Sequence, residues 1–177
     1  MRRRRWVGLA MLLLAASGFS MNGAAQSADA SQTACATTRP NGDVPPGERS
    51  SPGLHGNGRL WVSLWPDGAV VFQPGGSGFV LPGGALQMKF PWWRGVTGPL
   101  AISGRRLDAT APPLDAYVPQ GYGNSGFQAT SLIFPTPGCW EVTGRAGEAS
   151  LTFTVNVVKI GDGPLQNGLP PNVRRQR

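Results

Sequence analysis

The chain of 177 residues holds one histidine, two cysteines and two tyrosines, and only 14 % of its residues carry charge. Each shortage closes a class of chemistry. With His55 as the only histidine and no C-x-x-C pair, no cluster has the ligand spacing of a zinc site. No Asp-rich loop has calcium spacing. Gly75-Gly76-Ser77-Gly78-Phe79 and Gly123-Asn124-Ser125-Gly126-Phe127 both lack the last glycine of a G-x-S-x-G elbow. His55 also precedes both serines, opposite to the α/β-hydrolase order. The Gly75-Gly76 and Gly83-Gly84 pairs do not open helices, so they make no phosphate cradle. Helical periodicity is missing beyond the N-terminus, and there is no internal repeat. No cofactor and no metal are expected.

What is plentiful is glycine (26), proline (17) and tryptophan (6), within a composition that is 40 % apolar. That is enough apolar surface for a core. Short apolar runs between many Gly and Pro residues are the composition of a turn-rich β protein. The formal charge of +7 is less basic than it looks. Arg2 to Arg5 account for four of the 16 basic residues, which leaves 12 against 9 acids from Gln26 onward, about +3. Three of those twelve, Arg174, Arg175 and Arg177, belong to a tail without packing signals. A near-neutral body with one paired basic site, Arg105-Arg106, has no footprint for nucleic acid.

Residues 1–25 read as a secretory signal: a basic run, an apolar run from Trp6 to Phe19, then small residues before Gln26. The apolar run is short for a membrane span and no second follows, so no transmembrane span is expected after cleavage. An uncleaved N-terminal anchor is the alternative. Export places the protein in the periplasm or outside the cell. In that oxidising setting Cys35 and Cys139 favour a disulfide over free thiols. A lipid anchor at Cys35 is weaker, because Gln32-Thr33-Ala34 lacks the apolar residue of a lipobox.

Residues 26–58 form an extended polar leader broken by prolines and glycines, and residues 59–160 carry the domain. Arg59 to Trp65 and Ala69 to Gln73 flank Pro66-Asp67-Gly68 and read as a hairpin. Phe79 to Leu81 and Leu86 to Phe90 flank Pro82-Gly83-Gly84 and read as a second. Leu100 to Leu107 is a strand with Gly104 as a bulge candidate. Ala111 to Pro119 is at most an edge segment. Gly126 to Val158 is the clearest stretch: three strands with period-two alternation, joined by short turns. Residues 161–177 are a flexible tail.

The stretch PTPGCWEVTGRAGEASLTFTVNV resembles the last two strands of bacterial immunoglobulin-like domains. Trp140 stands where those domains usually carry a Tyr, so the hydroxyl of a tyrosine corner is missing. HGNGRLWVSLWPDGAVVF, FPWWRG and the Cys-Trp-Glu-Val-Thr-Gly ending resemble a group of uncharacterised exported bacterial proteins, over Cys35 to Lys159. The resemblance implies an all-β immunoglobulin-like antiparallel β-sandwich with long Gly/Pro-rich loops and a disordered N-terminal leader. It implies no activity and no site residue, since function on this fold sits in loops and faces.

The expected function is a non-catalytic binding or interaction module of the cell envelope or extracellular space. Its surface is Trp61, Trp65, Trp92, Trp93, Arg94 and Tyr122, and its partner a protein or a cell-wall glycan. Trp92 and Trp93 are neighbours on extended chain, so they cannot both face the core. Two other classes stand beside this one. A hydrolase would use His55, Asp108 or Asp115. A purely structural envelope protein would have every indole in its core.

Overall fold

The computed structural model describes residues 34–164. The signal segment, the first residues of the leader and the arginine tail lie outside the described residues. Ten strands follow in order: β1 (Leu54–Gly56), β2 (Leu60–Ser63), β3 (Ala69–Phe72), β4 (Phe79–Val80), β5 (Leu86–Arg94), β6 (Ala101–Arg106), β7 (Asp115–Tyr117), β8 (Gly126–Phe134), β9 (Gly138–Ala146) and β10 (Ala149–Lys159). They make two sheets. One runs β1-β2-β5-β8-β7, with β4 also paired to β5. The other runs β3-β10-β9-β6. All pairings are antiparallel except β3 with β10, which is parallel.

The sheets face each other across one aromatic core. Alternation dictates the inner faces. Leu60 and Val62 on β2, Phe90 and Trp92 on β5, and Leu132 and Phe134 on β8 point inward from the first sheet. Val70, Phe72, Trp140, Val142, Phe153 and Val155 meet them from the second. The Phe90 and Phe153 rings stack at 6.0 Å between the two sheets. Trp92 lies 5.8 Å from Phe153. Such pairs contribute about 0.5–1.5 kcal/mol each beyond the area they bury.

Trp92 also explains a glycine in the Cys-Trp-Glu-Val-Thr-Gly motif. A Cβ on Gly144 would collide with the six-membered ring of the Trp92 indole. The indole is wholly buried and has nowhere to go. On the same strand Trp140 donates its indole N–H to the Thr136 carbonyl at 3.0 Å. The tryptophan thereby makes a backward bond to the backbone without a phenolic hydroxyl.

Three expectations are corrected. Pro66-Asp67-Gly68 is a turn, closed by the Gly68 N–H to the Trp65 carbonyl at 2.9 Å, but not a hairpin. β2 and β3 belong to different sheets. The turn carries Pro after its first residue and Gly at its last, and no non-glycine residue has positive φ. It is therefore not a type II or type I′ turn, and an unprimed turn of this kind splays its strands apart. The three strands of the late stretch likewise divide: β9 and β10 form a hairpin, but β8 lies in the opposite sheet. Gly104 is no bulge, because β6 and β9 keep unbroken register from Ala101↔Arg145 to Arg106↔Trp140; Leu114 packs over it instead.

The polar leader is stitched down wherever it is described. Cys35 and Cys139 form a disulfide with Cα atoms 5.4 Å apart. The Thr38 N–H donates to the Thr154 carbonyl at 2.8 Å, and the Thr154 N–H donates to Thr38 Oγ1 at 2.9 Å. Asn41 does the same for β1: its amide donates to the Gly56 carbonyl at 2.7 Å and accepts from the Gly56 N–H at 3.1 Å. β1 itself lies inside the segment read as leader, so the packed body begins well before residue 59.

Replacing Cys35 by Ala is expected to lower unfolding free energy by about 4 kcal/mol, since the bond closes a loop of roughly 100 residues. Urea melts of the variant and of the oxidised and reduced parent check this; identical midpoints would contradict it. Gly144→Ala is expected to destabilise by about 1–3 kcal/mol through overpacking against Trp92. Thermal melts read that loss.

Candidate functional site

The two outer faces differ in character. On the second sheet the outward positions are Ser103 and Arg105 on β6, Glu141, Thr143 and Arg145 on β9, and Thr152, Thr154 and Asn156 on β10. Thr143 and Thr152 hydrogen-bond across the ladder at 2.8 Å, and Arg105 pairs with Glu141 at 2.9 Å. That is an ordinary solvated face, and its exposed ion pair contributes little.

One end of the outer face of the first sheet is aromatic, while Lys89, Ser131 and Asp115 stand at the other. Strand register aligns Gly56, Trp61, Trp93 and Phe127 in one row across β1, β2, β5 and β8. Trp61 is buried although it points away from the core, because Gly56 and Gly95 leave room for its indole to lie flat against them. Trp93 is half-buried and meets Phe127 edge-on at 5.4 Å. Phe127 is 44 % exposed, with the Tyr122 ring 5.9 Å away. Further along the face stand Pro91, Ala129 and Ile133, and Tyr117 on β7, which is 51 % exposed.

Arg94 ends β5 beside this row. It is 3 % exposed, and its guanidinium donates to four backbone carbonyls. Nη1 reaches Gly98 at 2.7 Å and Asn124 at 3.3 Å; Nη2 reaches Tyr122 at 3.2 Å and Gly123 at 3.0 Å. No carboxylate pairs with it among the described residues. Carbonyl dipoles hold the cation, and the planar fork fixes the loop that presents Tyr122.

No family model, curated protein or solved structure matches the chain. The site is therefore argued from its own geometry.

The six residues expected to form one exposed surface are divided by the fold. Trp92 is core and Trp93 outward, as alternation requires. Trp61 is buried in the outer row, and Arg94 is buried as a loop clamp. Trp65 is half-buried over the rim of the core, 5.1 Å from Phe90. Trp93 and Tyr122 remain as accessible members. Phe127 and Tyr117 join them, and neither was legible as surface. β8 reverses the usual rule at its start: the polar Gln128 and Thr130 point inward, bonded to the Pro119 and Phe90 carbonyls, while Phe127 points out. A period-two reading that sends the apolar residue inward has no means of seeing this.

His55 and Asp115 do not share a site. His55 lies on β1 and Asp115 on β7, at opposite edges of a five-strand path. Four inter-strand spacings across the sheet and some five residues along it separate them, roughly 25 Å. Asp108 is held by the Arg106 guanidinium, which keeps its carboxyl below the usual carboxylate range. It stays ionised and has no proton to give as a general acid. Among the described residues, no three His, Cys, Asp or Glu side chains group as a metal site requires. No described helix is long and apolar enough to cross a membrane.

Burial lowers the His55 pKa below 6.5, against a smaller opposing pull from the Arg39 backbone and Asp43. Its Nδ1 is buried without a partner. The unfolded chain thus takes up the proton first as pH falls through about 6.5, and the native state loses stability until its own lower pKa is passed. The melting temperature should drop between about pH 7.5 and 5.5, and His55→Gln should flatten that slope. Equal slopes in both proteins would show that another group sets it.

Proposed function

We propose that the chain is an exported, non-catalytic binding module of the cell envelope or extracellular space. It engages its partner through the aromatic outer face of the first sheet, centred on Trp93, Phe127 and Tyr122. The observation that carries this reading is the contrast between the two outer faces. A protein that only filled space in the envelope would gain nothing by leaving Phe127 and Tyr117 in water while burying Gln128 and Thr130. Contiguous exposed aromatic surface marks an interaction site. Aromatic rings also supply large contact area with little side-chain entropy to lose on binding.

Strand order supports an immunoglobulin-like assignment. β2-β5-β8-β7 facing β3-β10-β9-β6 corresponds to an A-B-E-D sheet opposite a G-F-C sheet, with the first strand split between the two. The disulfide favours an oxidising compartment, which fits export.

A protein partner fits better than a cell-wall glycan, because the Trp93 and Phe127 rings meet edge-on and the Tyr122 ring is tilted to Phe127, leaving no broad parallel platform for sugar rings. Phe127→Arg should abolish retention of the partner from envelope extract on immobilised protein, with the melting temperature unchanged. Undiminished retention by Phe127→Arg and by Trp93→Ala would sink the reading. Quenching of tryptophan fluorescence by cell-wall oligosaccharides, lost in Trp93→Ala, would move the assignment to glycan.

A further inference from the structure

The edge of β5 that faces β2 and β4 is paired at both ends and open in the middle. β2 pairs with it from Leu60↔Arg94 to Val62↔Trp92. β4 pairs with it at Phe79↔Gln87 and Val80↔Leu86. Between them no strand among the described residues covers Met88 to Pro91. The cause is in the sequence. The Gly95 N–H reaches the Arg59 carbonyl and the Ala85 carbonyl accepts from Leu81, so odd-numbered residues of β5 turn their backbone groups toward this edge. Pro91 is the odd residue opposite the end of β2 and has no N–H to offer. β2 pairing stops there: the carbonyl of Ser63, the β2 residue opposite Pro91, finds no N–H on it. Lys89, the next odd residue, turns its backbone N–H and C=O into this gap, where no described residue bonds them.

The slot is a cleft of about 590 Å³. Trp65 and Ser77 stand on either side, where β2 and β4 would meet if extended, and Phe79 forms a wall. Gln87 lines it as well. The residue is 7 % exposed, and its amide is free to bond a group in the cleft. An unpaired stretch of strand edge beside a cleft offers backbone groups to an added strand.

We propose that this slot binds a short extended peptide by strand addition. The peptide fills the missing length of strand opposite Lys89. Its own C=O accepts from the Lys89 N–H and its N–H donates to the Lys89 C=O. The Gln87 amide bonds the next peptide group, and one apolar side chain enters between Trp65 and Phe79. The gap from Gln87 to Trp92 spans five residues of strand, about 16 Å, which limits the bound segment to some three residues. The site lies roughly 13 Å along β5 from Trp93 and does not depend on the aromatic row.

Amide exchange and NMR titration of the full chain test this. In the free protein the Lys89 N–H should exchange roughly a hundredfold faster than those of Gln87 and Trp93. Exchange as slow as its neighbours' would mean the edge is already satisfied, and would overturn the proposal. N-acetylated, C-amidated Ala-Val-Ala and Ala-Leu-Ala are the probes. Either should slow Lys89 exchange and shift the Lys89 backbone and Gln87 side-chain resonances, and Gln87→Met should weaken binding about five- to tenfold. Phe127→Arg should leave these shifts unaltered, which separates failure here from failure of the outer-face reading. No shift with either peptide, or shifts produced only by N-acetylglucosamine oligomers, would overturn the proposal.

Discussion

One covalent bond sets the boundary conditions for both sheets. Cys139 opens β9 in the centre of the second sheet, and Cys35 ties the leader to it. From that anchor the leader runs along unpaired backbone. Thr38 serves β10, Asn41 serves β1, and Asp43 accepts from the Gly58 N–H at 2.9 Å. Exposed strand edges invite pairing with other chains. Here a polar segment with little core-forming capacity supplies the missing partners. It could not stay in place by its own burial, because nearly all of its residues are exposed or half-exposed.

Room for the tryptophans is the second constraint. Trp92 lies against Gly144, and Trp61 against Gly56 and Gly95. In each case the indole covers a strand position that carries no side chain. Pairing a large aromatic with glycine across or between sheets keeps packing dense without forcing the sheets apart. It also explains why glycines sit inside strands, where they otherwise weaken the ladder.

These constraints decide where function can reside. The second sheet presents threonine, serine and paired charges, the sort of surface water already satisfies. The first sheet presents rings, a loop locked by a buried arginine, and an edge interrupted by proline. Arg94 is buried, and four backbone carbonyls accept from its two terminal nitrogens. Its contribution is to hold the Tyr122 loop against Phe127. The row and the slot both lie on β5, which pairs along its whole length with the equally long β8, so both rest on a rigid support.

Local chemistry alone determined a good deal. Period-two alternation and Gly/Pro punctuation are backbone properties, so the strands after β1, the β9–β10 hairpin and the edge status of β7 were legible. The two cysteines, read with the expected export, pointed to their bond. The opposite sides of Trp92 and Trp93 followed from pleat geometry. Which strand joins which sheet was not legible, because a turn that closes locally says nothing about the sheet its exit strand will enter; β3 pairs with β10, more than eighty residues away. Nor could alternation tell the wet face from the dry one where Phe127 and Gln128 exchange their usual places. That choice belongs to the tertiary structure, since it depends on the Pro119 and Phe90 carbonyls that bond Gln128 and Thr130 from elsewhere in the chain.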